Sequence, residues 1–234
     1  MDKVSLFLLV IPMLLFSMVA HEYAHGYAAL KQGDDTAQSL GRLTWNPIKH
    51  IDPFMTVILP LMMFIGSSGR MIFGGAKPVP VDPRKFRHYV RGDIIVSLAG
   101  VATNLALAIL FVPAVIGLGL VARQIGPLAE TIALVQIMLL YGIMINLLLA
   151  GFNLIPIPPL DGSHVFKHLL PRRAAIAYQK LGRYGLLILI VLLYVDRRAI
   201  QTLMAPVFYL NDFALRLAAP YVEPGRWASL LGGG

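Results

Sequence analysis

Residues 4–30 read VSLFLLVIPMLLFSMVAHEYAHGYAAL, an apolar run that ends in a cluster of ionisable side chains. About 20 apolar residues are enough for a helix to cross the hydrocarbon core of a bilayer. The run therefore predicts a membrane-spanning helix, and Pro12 predicts a kink that neighbouring helices can accommodate. No small-residue cleavage site follows the run, so we expect a permanent helix and not a signal peptide.

The composition of the whole chain supports this interpretation. Hydrophobic residues make up 57% of the 234 residues and charged residues only 14%, whereas soluble domains have about 25% charged residues. The net charge of +8 could suggest nucleic acid, but the basic residues lie between apolar segments, where they are expected to face anionic lipid instead. The absence of cysteine excludes disulfides, thiolate zinc sites and cysteine nucleophiles.

The remaining apolar stretches predict an all-α polytopic membrane protein with about six transmembrane segments. After the segment at 4–30, they lie near 53–73, 94–122, 131–152, 184–195 and 199–219. Residues 36–45, TAQSLGRLTW, alternate polar and apolar side chains around a glycine, which predicts two short strands or a bent hairpin. Residues 74–83, GGAKPVPVDP, contain three prolines and two glycines, which predicts an extended element that could re-enter the membrane.

This pattern predicts one domain over residues 1–234. Its expected parts are the helix at 4–30, a β or re-entrant region at 36–90, helices at about 94–122 and 131–152, a proline-rich motif at 153–162 and C-terminal helices at about 184–219. The basic residues cluster in 31–52, 74–93 and 160–183, so the positive-inside rule places these segments on the cytosolic side. The segment 53–83 must then enter the membrane and return.

His21, Glu22 and His25 form an HExxH motif on the first predicted helix. Residues four apart share one helical face, so both imidazoles can reach one metal ion. The glutamate between them can hold and deprotonate a water molecule at that ion. Chance would produce this motif about 0.002 times in a chain of this composition. The other structural interpretation is a polar helix end at the membrane interface, but ionisable residues inside a span are functional by default.

A catalytic zinc site normally has three protein ligands, so two histidines are not enough. Since the chain has no cysteine, the third ligand must be His, Asp or Glu. Asp161 is a candidate because it follows three prolines in NLIPIPPLDG, residues 153–162, which break or end the fourth span. Broken backbone at membrane depth usually lines a polar cavity. The alternative is a solvated aspartate in a cytosolic turn.

HEYAH together with NLIPIPPLDG resembles the motif pair of the site-2 proteases, which are intramembrane zinc metalloproteases. The segments GRLTWNPIKHIDPFMTVILP (41–60) and FGGAKPVPVDPRKFR (73–87) are also similar to linking segments of the compact family members, which lack a PDZ or CBS domain. SLAGVATN (97–104) is similar to a small-residue stretch of the family, except that Val101 replaces the usual proline. The resemblance implies that His21, His25 and Asp161 bind one zinc ion and that Glu22 is the general base.

Three further polar residues are candidates for contact with substrate or oxyanion. A buried Asn104 or Asn153 could donate to an oxyanion or to an unwound substrate backbone, or could instead join helices by hydrogen bonds. His164 follows Asp161 by three residues and could be a fourth ligand, a substrate contact or an interfacial residue. The small residues Ala99, Gly100 and Thr103 predict close helix packing rather than catalysis.

The resemblance implies a zinc-dependent endopeptidase that cleaves within or near transmembrane helices of single-span membrane proteins, in regulated intramembrane proteolysis. We expect it in the bacterial or archaeal cell (inner) membrane, with the active site open to the cytosol. A homo-oligomer or a regulatory membrane protein remains open as partner, and no nucleic acid is expected. A divalent-cation transporter is the alternative, although the chain lacks the internal repeat typical of transporters. A non-catalytic membrane scaffold with a structural zinc is the second alternative function, and it would not need Glu22.

The orientation can be tested with Lys31→Cys and Arg172→Cys, because the natural chain has no thiol and each variant then has one. Both positions are predicted to face the cytosol. An impermeant thiol reagent should therefore label them only after the cells are permeabilised. Ready labelling in intact cells would show that the predicted topology is wrong.

Overall fold

The computed structural model describes residues 3–66, 74–195 and 197–222, and all regular secondary structure in these ranges is helical. The α-helices are α1 Lys3–Gln32, α2 Thr36–Ser39, α3 Leu59–Gly66, α4 Tyr89–Ala122, α5 Ala129–Asn153, α6 Asp161–Phe166, α7 Arg172–Lys180, α8 Gly185–Val195 and α9 Arg197–Ala218. A π-helical turn, Pro53–Ile58, precedes α3, and short 3₁₀ turns occur at Pro47–His50, Pro83–Lys85, Gly126–Leu128, Lys167–Leu169, Leu181–Tyr184 and Ala219–Tyr221. The helical fold class is thereby confirmed.

Two helices of the described part, α4 and α5, are long and apolar enough to cross a membrane. Their most apolar windows have mean hydropathies of 2.7 and 2.3. This finding rests on length and composition. The total of about six spans stays a prediction.

The β-hairpin predicted over 36–45 is wrong, because the chain forms the short helix α2 there. The Asp34 carboxylate accepts the Thr36 amide at 3.0 Å, which favours a helical turn. Gly41 then adopts φ +63°, in the left-handed region that ends helices, and the Arg42 amide returns to the Ala37 carbonyl at 2.8 Å. The alternation of polar and apolar residues thus comes from one helical turn and its C-terminal cap.

The chain divides into two compact units, one containing residues 18–100 and the other residues 1–17 and 101–234, each within the described ranges. In the first unit, Ala29, Phe86 and Val96 form a buried apolar cluster, against which Ala28 and Val81 pack. This cluster joins the C-terminal half of α1 to the start of α4 and to the segment that precedes α4.

Residues 75–87, which we name the strap, form no α-helix and are fixed by backbone hydrogen bonds within the first unit. The Gly75 amide donates to Met55 at 3.0 Å, the Lys77 amide to His50 at 2.8 Å and the Arg87 amide to Gln32 at 2.9 Å. Arg42 adds a side-chain donor, with Nη2 at 3.1 Å from the Lys77 carbonyl oxygen. The strap is therefore an ordered segment although its prolines exclude an α-helix.

Asp34, which follows the end of α1, binds the C-terminal part of the strap. Its side chain is fully buried, and it accepts the amide of Asp82 at 2.6 Å as well as the Thr36 amide. The neighbouring Asp35 is exposed and accepts from Lys85 at 2.6 Å. The Lys85 hydrogen bond holds the pKa of the Asp35 carboxyl below its ordinary value.

The second unit contains a buried polar cluster that connects α1, α4 and α5. Asn104 Nδ2 donates to Asn146 Oδ1 at 2.7 Å, and Asn146 Nδ2 donates to Ser17 Oγ at 2.8 Å. All three residues have no exposed surface. Such paired amides stabilise helix contacts modestly in an apolar medium. In the same unit, α5 also packs against α9.

Asp34→Ala should destabilise the protein by about 1–3 kcal/mol, because the Thr36 and Asp82 amides would lose a buried acceptor. Asp35→Ala is the matched control, since it removes only an exposed carboxylate and should change stability little. Thermal unfolding of both variants in one detergent would measure the difference. Equal shifts in Tm would contradict the role assigned to Asp34.

Candidate metal centre

His21, Glu22 and His25 lie on α1, in the unit that contains residues 18–100. Alanines at 20, 24, 28 and 29 favour the helix through this stretch. The helix brings the two imidazoles together, with Nε2 of His21 and Nε2 of His25 2.9 Å apart. His21 is only 7% exposed. The Nε2 atoms of both rings thus lie close enough to bind one metal ion.

A backbone carbonyl sets the orientation of the His25 ring. His25 Nδ1 lies 2.7 Å from the carbonyl oxygen of Val96 on α4. Since a carbonyl only accepts hydrogen bonds, Nδ1 carries the proton and Nε2 keeps its lone pair. Metal-binding histidines are usually held in this way by a second hydrogen bond.

The donor set fits a zinc ion. Two nitrogen ligands at about 2.0–2.1 Å from tetrahedral zinc lie about 3.3 Å apart, so the pair needs only a small rotation of the rings. Gly100 leaves space for the ion, because a Cβ at this position would lie 2.5 Å from His25 Nε2 and 2.6 Å from His21 Nε2. A side chain on α4 at this point would therefore occupy the space in front of both ligand atoms.

Glu22 is half-buried beside the histidine pair. Its Oε2 accepts a hydrogen bond from the Val79 amide in the strap at 2.7 Å. One carboxylate oxygen is thus fixed by backbone. The role of Glu22 as general base stays a prediction.

Asp161 lies in the other unit, where it is the first residue of α6 and is partly buried. α5 ends at Asn153, and residues 154–160 form turns, as the three prolines predict. Gly162 allows the chain to fold back closely, because a Cβ there would lie 2.2 Å from the Leu154 carbonyl oxygen. The role of Asp161 as the third ligand stays a prediction.

The other three candidates have these contacts. Asn104 is fully buried and donates to Asn146, which supports the helix-packing interpretation of its amide. Asn153 Nδ2 donates to the Leu149 carbonyl at 2.9 Å within α5. His164 Nδ1 lies 3.3 Å from Lys167 Nζ, one turn further along the chain. Roles toward substrate stay predictions for all three residues.

Three residues of this unit belong to the site and were not predicted for it from the sequence. Val96 contributes only a backbone carbonyl, which no side-chain pattern reveals. The sequence predicts helix packing for Gly100, whereas in the structure a Cβ at this position would meet both imidazoles. The sequence does distinguish Val79, because the prolines at 78 and 80 have no N–H and Val79 is the one backbone donor between Lys77 and Val81.

Gly100→Ala should weaken zinc binding about 10–100-fold, because the added methyl group would meet the ligand nitrogens. Gly117→Ala is the matched control, since it lies on the same helix and no described atom is within 4 Å of its added Cβ. Zinc content after dialysis at a fixed free zinc concentration would compare the two variants. Full zinc content in Gly100→Ala would contradict the position assigned to the ion.

The comparisons with known proteins agree with this geometry. A sequence profile of peptidase family M50 matches residues 114–195. The candidate zinc metalloprotease YwhC of Bacillus subtilis is 38% identical over 184 residues, which cover 76% of this chain and 77% of that protein. The candidate zinc metalloprotease Rip2 of Mycolicibacterium smegmatis is 36% identical over 197 residues, covering 82% of this chain and 69% of Rip2.

A shorter similarity extends to an archaeon. The candidate zinc metalloprotease MJ0611 of Methanocaldococcus jannaschii is 32% identical over 107 residues, covering 45% of this chain and 50% of that protein. No solved structure matches the chain significantly. With 38% identity over three quarters of both chains and a profile match, the protein belongs to peptidase family M50, the site-2 protease family, and is a zinc metalloendopeptidase.

Proposed function

We propose that this protein is an intramembrane endopeptidase that hydrolyses peptide bonds within or near transmembrane helices of single-span membrane proteins. The observation that carries the proposal is the arrangement of His21 and His25, whose Nε2 atoms lie 2.9 Å apart while Val96 holds Nδ1 of His25. Asp161 completes the ligand set in this proposal, and one zinc ion binds per chain. Glu22 is the general base.

The residues then divide the reaction between them. Zinc, when bound, supplies Lewis acidity toward the scissile carbonyl and favours ionisation of water. Glu22 accepts the proton of the attacking water, whose oxygen forms the new bond to the carbonyl carbon. It then returns this proton to the amide nitrogen as the C–N bond breaks, so the products are a carboxyl group and an amine.

The site needs water although lipid surrounds the protein. His21 precedes Lys31 by ten residues, which is about 15 Å along a helix. Lys31 begins a basic segment, and the positive-inside rule assigns such segments to the cytosol. We infer that water enters from the cytosolic side and that the chain has about six spans in a bacterial or archaeal cell membrane. The occurrence of the relatives in two bacteria and an archaeon supports this location.

The substrate must also expose a peptide bond. A transmembrane helix uses its carbonyls and amides in internal hydrogen bonds, so a short segment must unwind before cleavage. Cleavage in this proposal is regulated through the substrate or through a regulatory membrane protein. Assembly into a homo-oligomer is the third way in which cleavage could be regulated in this proposal.

The proposal is tested by incubating the purified full-length protein with single-span substrates, with and without a chelator. Glu22→Gln removes the basic oxygen and keeps the shape, so activity should fall about 10²–10⁴-fold while zinc content stays near one per chain. Asp161→Ala should lose both zinc and activity. His164→Ala should keep its zinc if this residue is interfacial.

Two outcomes of this experiment would contradict the proposal. Full activity in Glu22→Gln would exclude the assigned base and with it the hydrolytic mechanism. Full zinc content and activity in Asp161→Ala would exclude Asp161 as the third ligand and would make His164 the next candidate.

A further inference from the structure

The backbone amide of Val79 contacts the carboxylate assigned as general base. The distance from Val79 N to Glu22 Oε2 is 2.7 Å. Val79 is only 6% exposed, so water competes little for this hydrogen bond. The contact joins residues 57 positions apart in sequence. It therefore depends on how the strap lies on α1.

The sequence of the strap singles out this amide. Residues 77–81 read Lys-Pro-Val-Pro-Val, and proline has no N–H. Between Lys77 and Val81 the chain thus offers one backbone donor, at Val79, and the fold directs it to Glu22. A residue before proline also favours extended backbone, which restricts the direction of this donor.

The side chain of Val79 fixes the strap at the same place. A Cβ added at Gly26 would lie 3.0 Å from Val79 Cγ1, so the glycine forms a notch into which the valine packs. Gly26 follows Glu22 by four residues and shares its helical face. Arg42 Nη2 also donates to the carbonyls of the two residues that precede Val79, to Lys77 at 3.1 Å and to Pro78 at 3.2 Å. The Val79 amide is thus held by its own side chain and by the contacts directly before it.

We propose that Val79 is a positioning residue for Glu22, whose amide N–H fixes Oε2 so that Oε1 is presented to the attacking water. This role rests on the proposed function of Glu22 as general base. A carboxylate on a flexible stem otherwise samples several rotamers, and misplacement of a reacting group by about 1 Å costs about 100-fold in rate. The hydrogen bond removes this freedom without adding a side chain to the site.

The kinetic test compares Val79→Pro with two controls in the purified full-length protein. Val79→Pro removes the N–H and keeps extended backbone, so kcat should fall about 10–100-fold while KM and zinc content stay within about twofold. Val81→Pro adds a proline to the same strap and keeps the Val79 N–H, and Arg84→Ala removes only the exposed ion pair with Asp82. Both controls should keep kcat within about threefold of the natural protein.

Rescue by a conservative variant separates the amide from the side chain. Val79→Ala keeps the N–H and should recover most of the kcat that Val79→Pro loses. If Val79→Pro does not fold, replacement of Val79 by its α-hydroxy acid exchanges the N–H for oxygen and keeps the side chain, and it should lower kcat in the same way. Natural kcat in whichever amide-free variant folds would overturn the proposal, as would an equal loss in Val81→Pro or Arg84→Ala.

A second measurement does not depend on activity. Because residues 78–81 contain only the amides of Val79 and Val81, hydrogen exchange can report on this contact directly. Glu22→Ala should speed exchange at Val79 at least about tenfold and leave Lys77, which donates to His50, unchanged. Unchanged exchange at Val79 would overturn the proposal. Full activity in Glu22→Gln would instead refute the proposed function, whereas an inactive Glu22→Gln with a fully active Val79→Pro would refute the positioning role alone.

Discussion

The hydrogen bond between His25 Nδ1 and the Val96 carbonyl is the contact on which the geometry of the candidate metal centre depends. It fixes the tautomer of one imidazole and sets the angle of its ring, and it joins α1 to the start of α4 at the level of the HExxH motif. A carbonyl within a helix normally accepts from the amide four residues later, and its second lone pair remains for a side chain. The ligand is thus oriented by a backbone group, which most substitutions leave in place.

The surroundings of the site are shaped as much by missing atoms as by side chains. Gly100 has no Cβ where one would meet both ligand nitrogens. Pro78 and Pro80 have no N–H, so Val79 is the one backbone donor of residues 78–80. Gly26 provides the notch that brings Val79 close to α1. In an apolar environment every unsatisfied polar group raises the free energy of the folded state. The absence of these atoms therefore leaves space at the two imidazole nitrogens and avoids polar groups that would need further partners.

The sequence predicted the parts of the site that depend on local geometry. The helical spacing of His21 and His25 brings both rings to one point because residues four apart share a face, and the prolines before Asp161 end α5 where expected. The hairpin prediction at 36–45 failed because the Asp34 carboxylate accepts the Thr36 amide at the start of a helical turn, and this depends on where a buried carboxylate lies. The parts contributed by Val96 and Val79 were not predicted, since backbone groups have the same chemistry in every residue and only the fold selects one of them.

The carboxylates that hold the strap differ in burial: Asp34 is buried, whereas Asp35 and Asp82 are paired with exposed cations. Arg84 donates to Asp82, which lowers the pKa of that carboxyl from 3.8 to about 2. A carboxyl whose pKa is lowered on folding stabilises the folded state above its unfolded pKa, and this contribution is lost only as the pH falls toward about 2. Both Asp82 and Asp35 are paired with exposed cations, so salt screens these interactions. The buried Asp34, which accepts two backbone amides, is shielded from that screening. The strap that carries the Val79 amide is therefore attached at Asp34 by a hydrogen bond that salt screens less than it screens the exposed ion pairs.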